Sequence, residues 1–576
     1  MTGWALTLAL WVAALVPGLL ALNLPPSPTL FNQAAAWLAW GLVATYGARA
    51  VAQPWRPALL QCGAPVGALL LVALAALCSS AWGALPWGLG LAGAGTLAAA
   101  ALLFMLGAGM GPTPRVLAPL FGAWLAAGVA SAGVACIQVF APASADGEWI
   151  ARSAIVGRAV GNLRQPNHLA SLLLWGAVAL VPLVELGALS RTAARRGAAW
   201  ALMTLLMLAL MLTGSRTGLV GVAVLLAWGA LDRRLSRLAR GLLLASPLVF
   251  ALSWWLVDLW VTGHAGPAVG TASRLGDGDL STGRFAIWRD TLALIARYPL
   301  FGVGYGEFNL AWTLTPFAAR SPQFFDHTHN LPLQLLVELG LPLGLTVLGL
   351  LGWALWQAWA RVRGVDGPRG AALRAAFVIV LLAGLHSQFE YPLWYAHFLL
   401  PTAFAWGLCL GARGTDEREP EHAAPFYWPL AAGIALVLGA AVTLWDYHRV
   451  SVIFAPDEDA TPFLQRIADG RHSWFFAHHA DYARITALEV ESPPASAEFA
   501  RATHFLLDTR LLSAWARAYA REGDLERARW IADRLRELKQ LAAEPFFAPC
   551  ADASVADKPF QCMPATRTFT WRDFVK

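Results

Sequence analysis

A chain of 576 residues with 57% hydrophobic and 14% charged side chains is too apolar for a soluble globular protein, in which about 25% of residues are charged, and must use lipid as its solvent. Its net charge of +6 is almost entirely arginine, because Lys539, Lys558 and Lys576 are the sole lysines. These arginines lie in short connections between apolar runs, which argues against a nucleic-acid-binding surface and for a role in membrane orientation.

A helix needs about 20 apolar residues to cross the hydrocarbon core. Candidate spans run over 4–22, 34–50, 62–82, 85–110, 116–140, 168–188, 198–213, 217–231, 240–261, 331–360, 372–388, 393–411 and 427–446. That is about 13 spans, with Gly and Pro breaks leaving a range of about 12 to 14. The first run lacks a basic leader and passes straight into further spans, so it is read as a span and not as a cleaved signal peptide. With the N-terminus inside, the inner connections carry Arg49 and Arg56; Arg115; Arg191, Arg195 and Arg196; Arg233, Arg234, Arg237 and Arg240; Arg361, Arg363, Arg369 and Arg374; and Arg413 and Arg418. The outer connections 23–33 and 83–84 carry neither Arg nor Lys. The expected fold is therefore an all-α polytopic membrane protein, N-in and C-out, with a membrane domain over 1–446. Its long outer loops are 141–167 and 262–330, and 447–576 forms an outer helical domain.

Five polar clusters fall on the outer side of this topology. In Gly161-Asn162-Leu163-Arg164-Gln165-Pro166-Asn167-His168, Pro166 favours an extended Gln165 and can open a helix, holding the Gln165 amide and the His168 imidazole at the membrane surface. The plainer reading is a helix cap by Asn167. In Thr213-Gly214-Ser215-Arg216-Thr217-Gly218, an arginine at membrane depth costs roughly 2.5–3.5 kcal/mol and usually faces a cavity or an anion; the plainer reading is a snorkelling side chain. The third cluster joins Ser281-Thr282-Gly283-Arg284-Phe285 through Trp288-Arg289-Asp290 to Gly302-Val303-Gly304-Tyr305-Gly306. Phe285, Trp288, Leu292 and Ile295 recur there at helical spacing, so an amphipathic helix on the membrane is expected. Arg284 at its start could grip phosphate oxygens bidentately, or be a surface charge. Arg289 is a secondary candidate.

The fourth cluster, Asp326-His327-Thr328-His329-Asn330, stands at the mouth of a long apolar run. Imidazole is the side chain suited to general-base work near neutral pH; the spacing of two histidines could also suggest a metal, but no third ligand is nearby. The fifth is Glu390-Tyr391-Pro392-Leu393-Trp394-Tyr395, either an interfacial aromatic belt or a hydroxyl aimed at phosphate. Asp277-Gly278-Asp279 could bind a divalent cation but reads better as a turn. In the tail, Leu511–Leu538 reads as a helical hairpin about Gly523-Asp524, similar to one tetratricopeptide repeat with Trp515, Tyr519, Ala528 and Ala532 on its packing faces. Cys62, Cys78, Cys136 and Cys409 are small hydrophobes within apolar runs. Cys550 and Cys562, in an oxidising compartment, could form a disulfide.

The order GNLRQPNHLA, TGSRTG, STGRFAIW with GVGYGEF, HTHNLPLQLLVELG and EYPLWY resembles bacterial protein O-oligosaccharyltransferases of the PglL type, in the superfamily of O-antigen ligases and Wzy-type polymerases. The resemblance covers about 160–411, and His329-Asn330 with Gly340 downstream is its most specific part. It implies a GT-C-like fold in the bacterial inner membrane, with the active site facing the periplasm. The implied donor is an oligosaccharide on undecaprenyl pyrophosphate and the acceptor a Ser or Thr of a periplasmic protein such as a pilin; no cofactor and no metal are implied. By match, His329 is the catalytic base, with His327 in reserve; Arg216 and Arg284 hold the pyrophosphate, and Gln165 and Tyr391 assist. An O-antigen ligase using lipid A core, or a polymerase, is the near alternative. A transporter or flippase would carry charges in the bilayer middle and paired repeats, and a bare membrane scaffold would need none of these clusters.

Overall fold

The computed structural model describes residues 3–48, 50–51, 54–263, 269, 283–412, 427–489, 491–504, 506–554 and 556–575. Arg49, Asp277, Gly278, Asp279, Ser281, Thr282, Arg413 and Arg418, all invoked above, lie outside the described residues. Among the described residues the secondary structure is helical throughout, without strands.

A helix lies over each of the thirteen expected spans: α1 (Gly3–Leu19), α2 (Leu30–Gly47), α4 (Gly63–Trp82), α5 (Trp87–Met110), α6 (Pro114–Phe140), α7 (Pro166–Glu185), α8 (Ala193–Leu212), α9 (Arg216–Leu231), α10 (Arg237–Gly263), α13 (Leu331–Val362), α14 (Gly367–His386), α15 (Ala396–Leu410) and α16 (Tyr427–Phe454). A short α3 (Trp55–Gln61) precedes α4, and α11 (Arg284–Arg297) and α12 (Phe308–Leu314) fill the long loop. Among the described residues, nine helices are long and apolar enough to cross a membrane, and α1, α9 and α15 are shorter apolar helices. Such a chain is a multi-pass membrane protein, since only structures that satisfy their own backbone can cross lipid.

The helices fall into two compact units. The first comprises 1–67, 99–278 and 350–442. Its centre is α7, buried along nearly its whole length and packed against α6, α8, α9 and α14. Gly128 of α6 and Gly176 of α7 face each other so closely that a β-carbon on either would lie 3.0–3.1 Å from the other's Cα, the small-residue contact that lets helices pack where no hydrophobic effect drives them together. The connection from α6 to α7 is pinned by amides. Gln138 accepts from the Val160 and Gly161 amides at 2.9 Å and donates to Ala151 O at 2.6 Å, and Asn162 donates to Leu19 O at 2.5 Å and Trp149 O at 2.9 Å.

The second unit comprises 68–98, 279–349 and 443–576. Beyond α16 the tail forms α17 (Phe463–Gly470), α18 (Ala477–Ala487), the hairpin α19 (Thr509–Arg521) and α20 (Leu525–Glu537), and α21 (Glu544–Ala551). The expected hairpin turns at Gly523, at φ 85°, and buries Trp515, Ala528 and Ala532. Cys550 and Cys562 are joined by a disulfide. Loop and tail share one hydrophobic core: Ile287, Leu294, Val303, Trp312 and Phe325 are packed with Phe499, Trp515, Trp530, Trp571 and Phe574. α11 is apolar on more than one side. The expected stripe divides: Ile295 is buried in this core and Trp288 packs against it, beside buried Ile287, Thr291 and Leu294, while Phe285 and Leu292 stay exposed.

Asp446 of α16 is fully buried and accepts from Ser473 Oγ at 2.7 Å and from the Trp474 and Phe475 amides at 2.9 Å. Truncating it would strand three donors, the Ser473 hydroxyl buried and the two amides partly so, so Asp446→Ala should cost about 2–3 kcal/mol and Asp446→Asn visibly less, read as lowered thermal midpoints of the protein in detergent.

Candidate active site

In the first unit three of the sequence clusters meet. Gln165 is extended (φ −143°, ψ 120°) and caps α7, its side chain accepting from the His168 amide at 2.8 Å, with Pro166 in the first helical position. The cap is therefore Gln165 and not Asn167. Its carbonyl oxygen is engaged in that cap. Asn167 is instead the centre of a relay. Its NH2 donates to Glu390 Oε1 at 3.0 Å and its oxygen accepts from Ser215 Oγ at 2.6 Å. Ser215 in turn caps α9, accepting from the Gly218 amide at 3.0 Å. The motifs at 161–168, 213–218 and 390–395 are thus tied together through side chains, and Arg216 is the first residue of α9.

His168 is not at a surface. It is 4% exposed and sits edge-on to Tyr395 at 4.9 Å and Phe398 at 5.0 Å, with His386 and His397 at 5.8 and 6.1 Å. Pro166 starts the helix so early that His168 already lies in its first turn, facing the bundle. Tyr391 stacks on Tyr395 at 6.0 Å and remains partly exposed. His386, bonded to Ser171 Oγ at 2.8 Å, and His397 escaped the sequence reading because they stand singly in apolar runs. Glu390 and Ser215 stand within the motifs at 390–395 and 213–218, and a serine shortly ahead of an apolar run is itself a capping signal.

In the second unit the site is built around His329. Its backbone is left-handed, φ 54°, a conformation that persists in a residue with a side chain only where the surroundings impose it. Both neighbours are pinned. Thr328 donates its amide to Gln334 Oε1 at 2.8 Å and its carbonyl accepts from Trp288 Nε1 at 2.9 Å. The Thr328 hydroxyl donates to Asn330 O at 2.8 Å and accepts from Asn330 N at 3.2 Å. Asn330 caps α13 through its side chain, which accepts from the Leu333 amide at 3.0 Å. Held between them, His329 is half-buried and edge-on to Phe325, ring centres 5.5 Å apart, and Phe325 is edge-on to Trp312 at 5.8 Å.

α13 is not one straight span. It breaks at Gly340 (φ 76°, ψ 169°), a backbone region open essentially to glycine alone. Into the break runs the strap 299–306. Val303 N donates to Val337 O at 2.8 Å, Gly304 N to Glu338 O at 3.0 Å and Gly306 N to Glu338 Oε1 at 3.0 Å, while Leu341 N returns to Pro299 O at 2.7 Å. A β-carbon on Gly302 would lie 2.5 Å from both the Val337 and Glu338 carbonyls, and one on Gly340 would collide with the Leu300 carbonyl. The glycines of GVGYG and the glycine downstream of His329-Asn330 are the two sides of one backbone crossing.

His327 pairs with Asp326 at 3.2 Å. Crowding opposes ionisation of the Asp326 carboxyl, but the neighbouring His327 and His329 outweigh it and the acid is held at about 2. Arg284 is the first residue of α11 and follows Gly283, at φ 73°. Arg216 and Arg284 thus occupy the same local position, the opening residue of a helix, where free amides and the positive end of the helix dipole add to a guanidinium in favour of an anion. Arg289 pairs with buried Asp290 at 2.9 Å and donates to Ala319 O at 2.5 Å, a structural use of that side chain. Among the described residues no group of three His, Cys, Asp or Glu side chains could hold a metal ion.

This is the architecture of a multi-pass membrane protein with an imidazole set into irregular backbone and arginines that open helices. Family comparisons agree with that description. Residues 201–348 match the O-antigen ligase family, residues 374–539 the family described as virulence factor membrane-bound polymerase, C-terminal, and residues 159–183 the protein glycosylation ligase family. The chain is similar to a general O-oligosaccharyltransferase of Acinetobacter baylyi, 26% identical over 44% of this chain and 43% of that protein. It is also similar to a ComP-specific O-oligosaccharyltransferase of the same organism, 26% identical over 22% of each chain. The chain thus spans less than half the length of either relative. The chain is thus similar in parts to O-antigen ligases, to protein glycosylation ligases and to O-oligosaccharyltransferases.

Two outcomes test this geometry. Gly340→Ala should lower thermal stability and abolish whatever activity depends on His329, in a binding-competent, membrane-inserted protein. The folded carboxyl of Asp326 sits below its unfolded value of about 4, so its contribution is present above pH 4 and is lost as pH falls through about 2. Asp326→Asn should therefore flatten the stability profile between those limits.

Proposed function

We propose that this protein is an O-linked oligosaccharyltransferase of the bacterial inner membrane, moving a glycan from undecaprenyl pyrophosphate to a serine or threonine of a periplasmic protein such as a pilin. The observation that carries the reading is His329, presented from a strained, doubly pinned backbone position inside the stretch matched to the O-antigen ligase family. The match of 159–183 to protein glycosylation ligases, and the two oligosaccharyltransferase relatives, favour a protein acceptor.

The reaction follows from the side chains. His329 removes the proton of the acceptor hydroxyl, whose oxygen attacks the sugar carbon bearing the pyrophosphate. The carbon–oxygen bond to the diphosphate breaks and its electrons leave with that group, inverting the carbon. Arg216 and Arg284 stabilise the charge that develops on the diphosphate. The Gln165 NH2 and the Tyr391 hydroxyl contribute further donors, with His327 as a secondary candidate. The arginine pattern supports an N-in, C-out orientation with 447–576 as a periplasmic domain.

A second reading, a glycan polymerase whose acceptor is another lipid-linked glycan, is favoured by the match of 374–539. Purified protein should transfer glycan from a synthetic undecaprenyl pyrophosphate donor to a pilin acceptor, with or without EDTA, as followed by mass spectrometry. His329→Ala and Arg284→Ala should each lose at least about a hundredfold in rate, the scale of a lost base or charge-stabilising donor. Normal transfer by His329→Ala would move the base to His327. Products that grow on the lipid while pilin stays unmodified would establish the polymerase.

A further inference from the structure

The loop–tail core contains a short helix whose contacts exceed what packing alone needs. α12 (Phe308–Leu314) carries Trp312, and the rings Trp312, Phe325 and His329 stand in succession, each edge-on to the next at 5.8 and 5.5 Å. The orientation of the His329 imidazole thus rests on Phe325, and that of Phe325 on α12. Three tail residues hold α12, from widely separated points of the chain. At its start, Glu307 Oε2 meets His504 Nδ1 at 2.8 Å, with both side chains almost wholly buried. At its end, Trp530 Nε1 donates to Leu314 O at 3.1 Å. In the middle, Arg320 lies over the Trp312 ring at 4.5 Å and donates to Trp312 O at 2.9 Å, and Glu537 bonds that arginine at 3.2 Å. From within the loop, Asp290 accepts from Trp312 Nε1 at 3.3 Å.

We infer that the tail is a positioning element for the base: His504, Trp530 and Glu537 fix the platform α12, and through Trp312 and Phe325 fix the aim of His329. None of the three need touch substrate. The same Glu307 follows the strap directly, its amide bonded to Gly304 O at 3.2 Å, so the His504 pair also steadies the segment that crosses the break in α13. A tail that served only to dock an acceptor would present its specific side chains outward. These three are turned inward, onto the loop that carries the imidazole.

The inference rests on the reading of His329 as the base, and the test separates the two. In the full-length protein, His504→Leu, Trp530→Phe and Glu537→Gln are compared with His504→Gln, which keeps a donor for Glu307, and with Leu541→Ser on the exposed tail surface. The first three should lower kcat on the order of ten- to a hundredfold, the scale of a small misplacement of a reacting group, with KM for donor and acceptor within about twofold. His504→Gln should recover most of the loss, and Leu541→Ser should behave as the unaltered protein. Site-resolved carbethoxylation of His329, read by mass spectrometry without substrate, should change severalfold in His504→Leu and Glu537→Gln and not in Leu541→Ser. Unchanged kcat and unchanged His329 reactivity in folded His504→Leu and Glu537→Gln would overturn the inference. A raised acceptor KM at unchanged kcat would overturn it too, making the tail a docking surface. Retained activity in His329→Ala would instead remove the base assignment, leaving the carbethoxylation result to decide whether the tail positions that imidazole.

Discussion

Two backbones cross at Gly302 and Gly340 with no side chain between them, and the placement of His329 follows from that crossing. A helix leaving the membrane with a regular backbone would carry its satisfied amides straight on. Breaking it at Gly340 frees the carbonyls of Val337 and Glu338, which the strap amides of Val303 and Gly304 then satisfy. Non-helical backbone at such a place is tolerable only when it is paired within the protein. The short helical segment ahead of the break is thereby held as a separate piece, with Asn330 as its cap and His329 immediately before it. The price of the left-handed residue, of the order of 1–3 kcal/mol, is offset by the bonds that pin Thr328 and Asn330.

The first unit solves a similar problem by a different device. There the polar motifs stand at the ends of regular helices, and side chains join them: Gln165 and Ser215 satisfy helix starts, and Asn167 links Ser215 to Glu390. A buried carboxylate with an amide donor, and a serine that both donates and accepts, leave few alternatives for the local geometry. Arg216 opens α9 from within this relay, so its position inherits the rigidity of three loops that are distant in sequence.

Much of the membrane architecture was legible because lipid enforces a simple rule, and apolar runs of the right length became helices. The motif residues were legible where their chemistry is unusual at membrane depth, as with Arg216 and the pair His327 and His329. What could not be read was direction. Periodicity in 284–297 showed that a helix forms, but Phe285 and Leu292 were as apolar as the Ile287 and Leu294 that are buried, and composition does not choose between two such stripes. His168 was legible as a polar residue near a span and not as one facing inward, because a single residue of helix phase separates the two. The break at Gly340 was visible as a glycine but not as a break, since its partner strap lies a whole loop away. The union of loop and tail depended on contacts such as Glu307 with His504, which no local pattern encodes.

That union has a consequence for how the molecule is made. Ile287 and Trp312 find their covering in Trp571 and Phe574, residues that follow the membrane helices in the chain. Chains are threaded into the membrane from the N-terminus onward, and long-range contacts are closed late. Every membrane helix can thus be inserted while the segment bearing His329 still lacks its core. The loop gains its covering only when the tail follows, so a chain lacking that segment would occupy the membrane with the surroundings of His329 incomplete. In that sense the tail acts as a checkpoint on assembly, tying the order of the loop to the arrival of the segment that covers it.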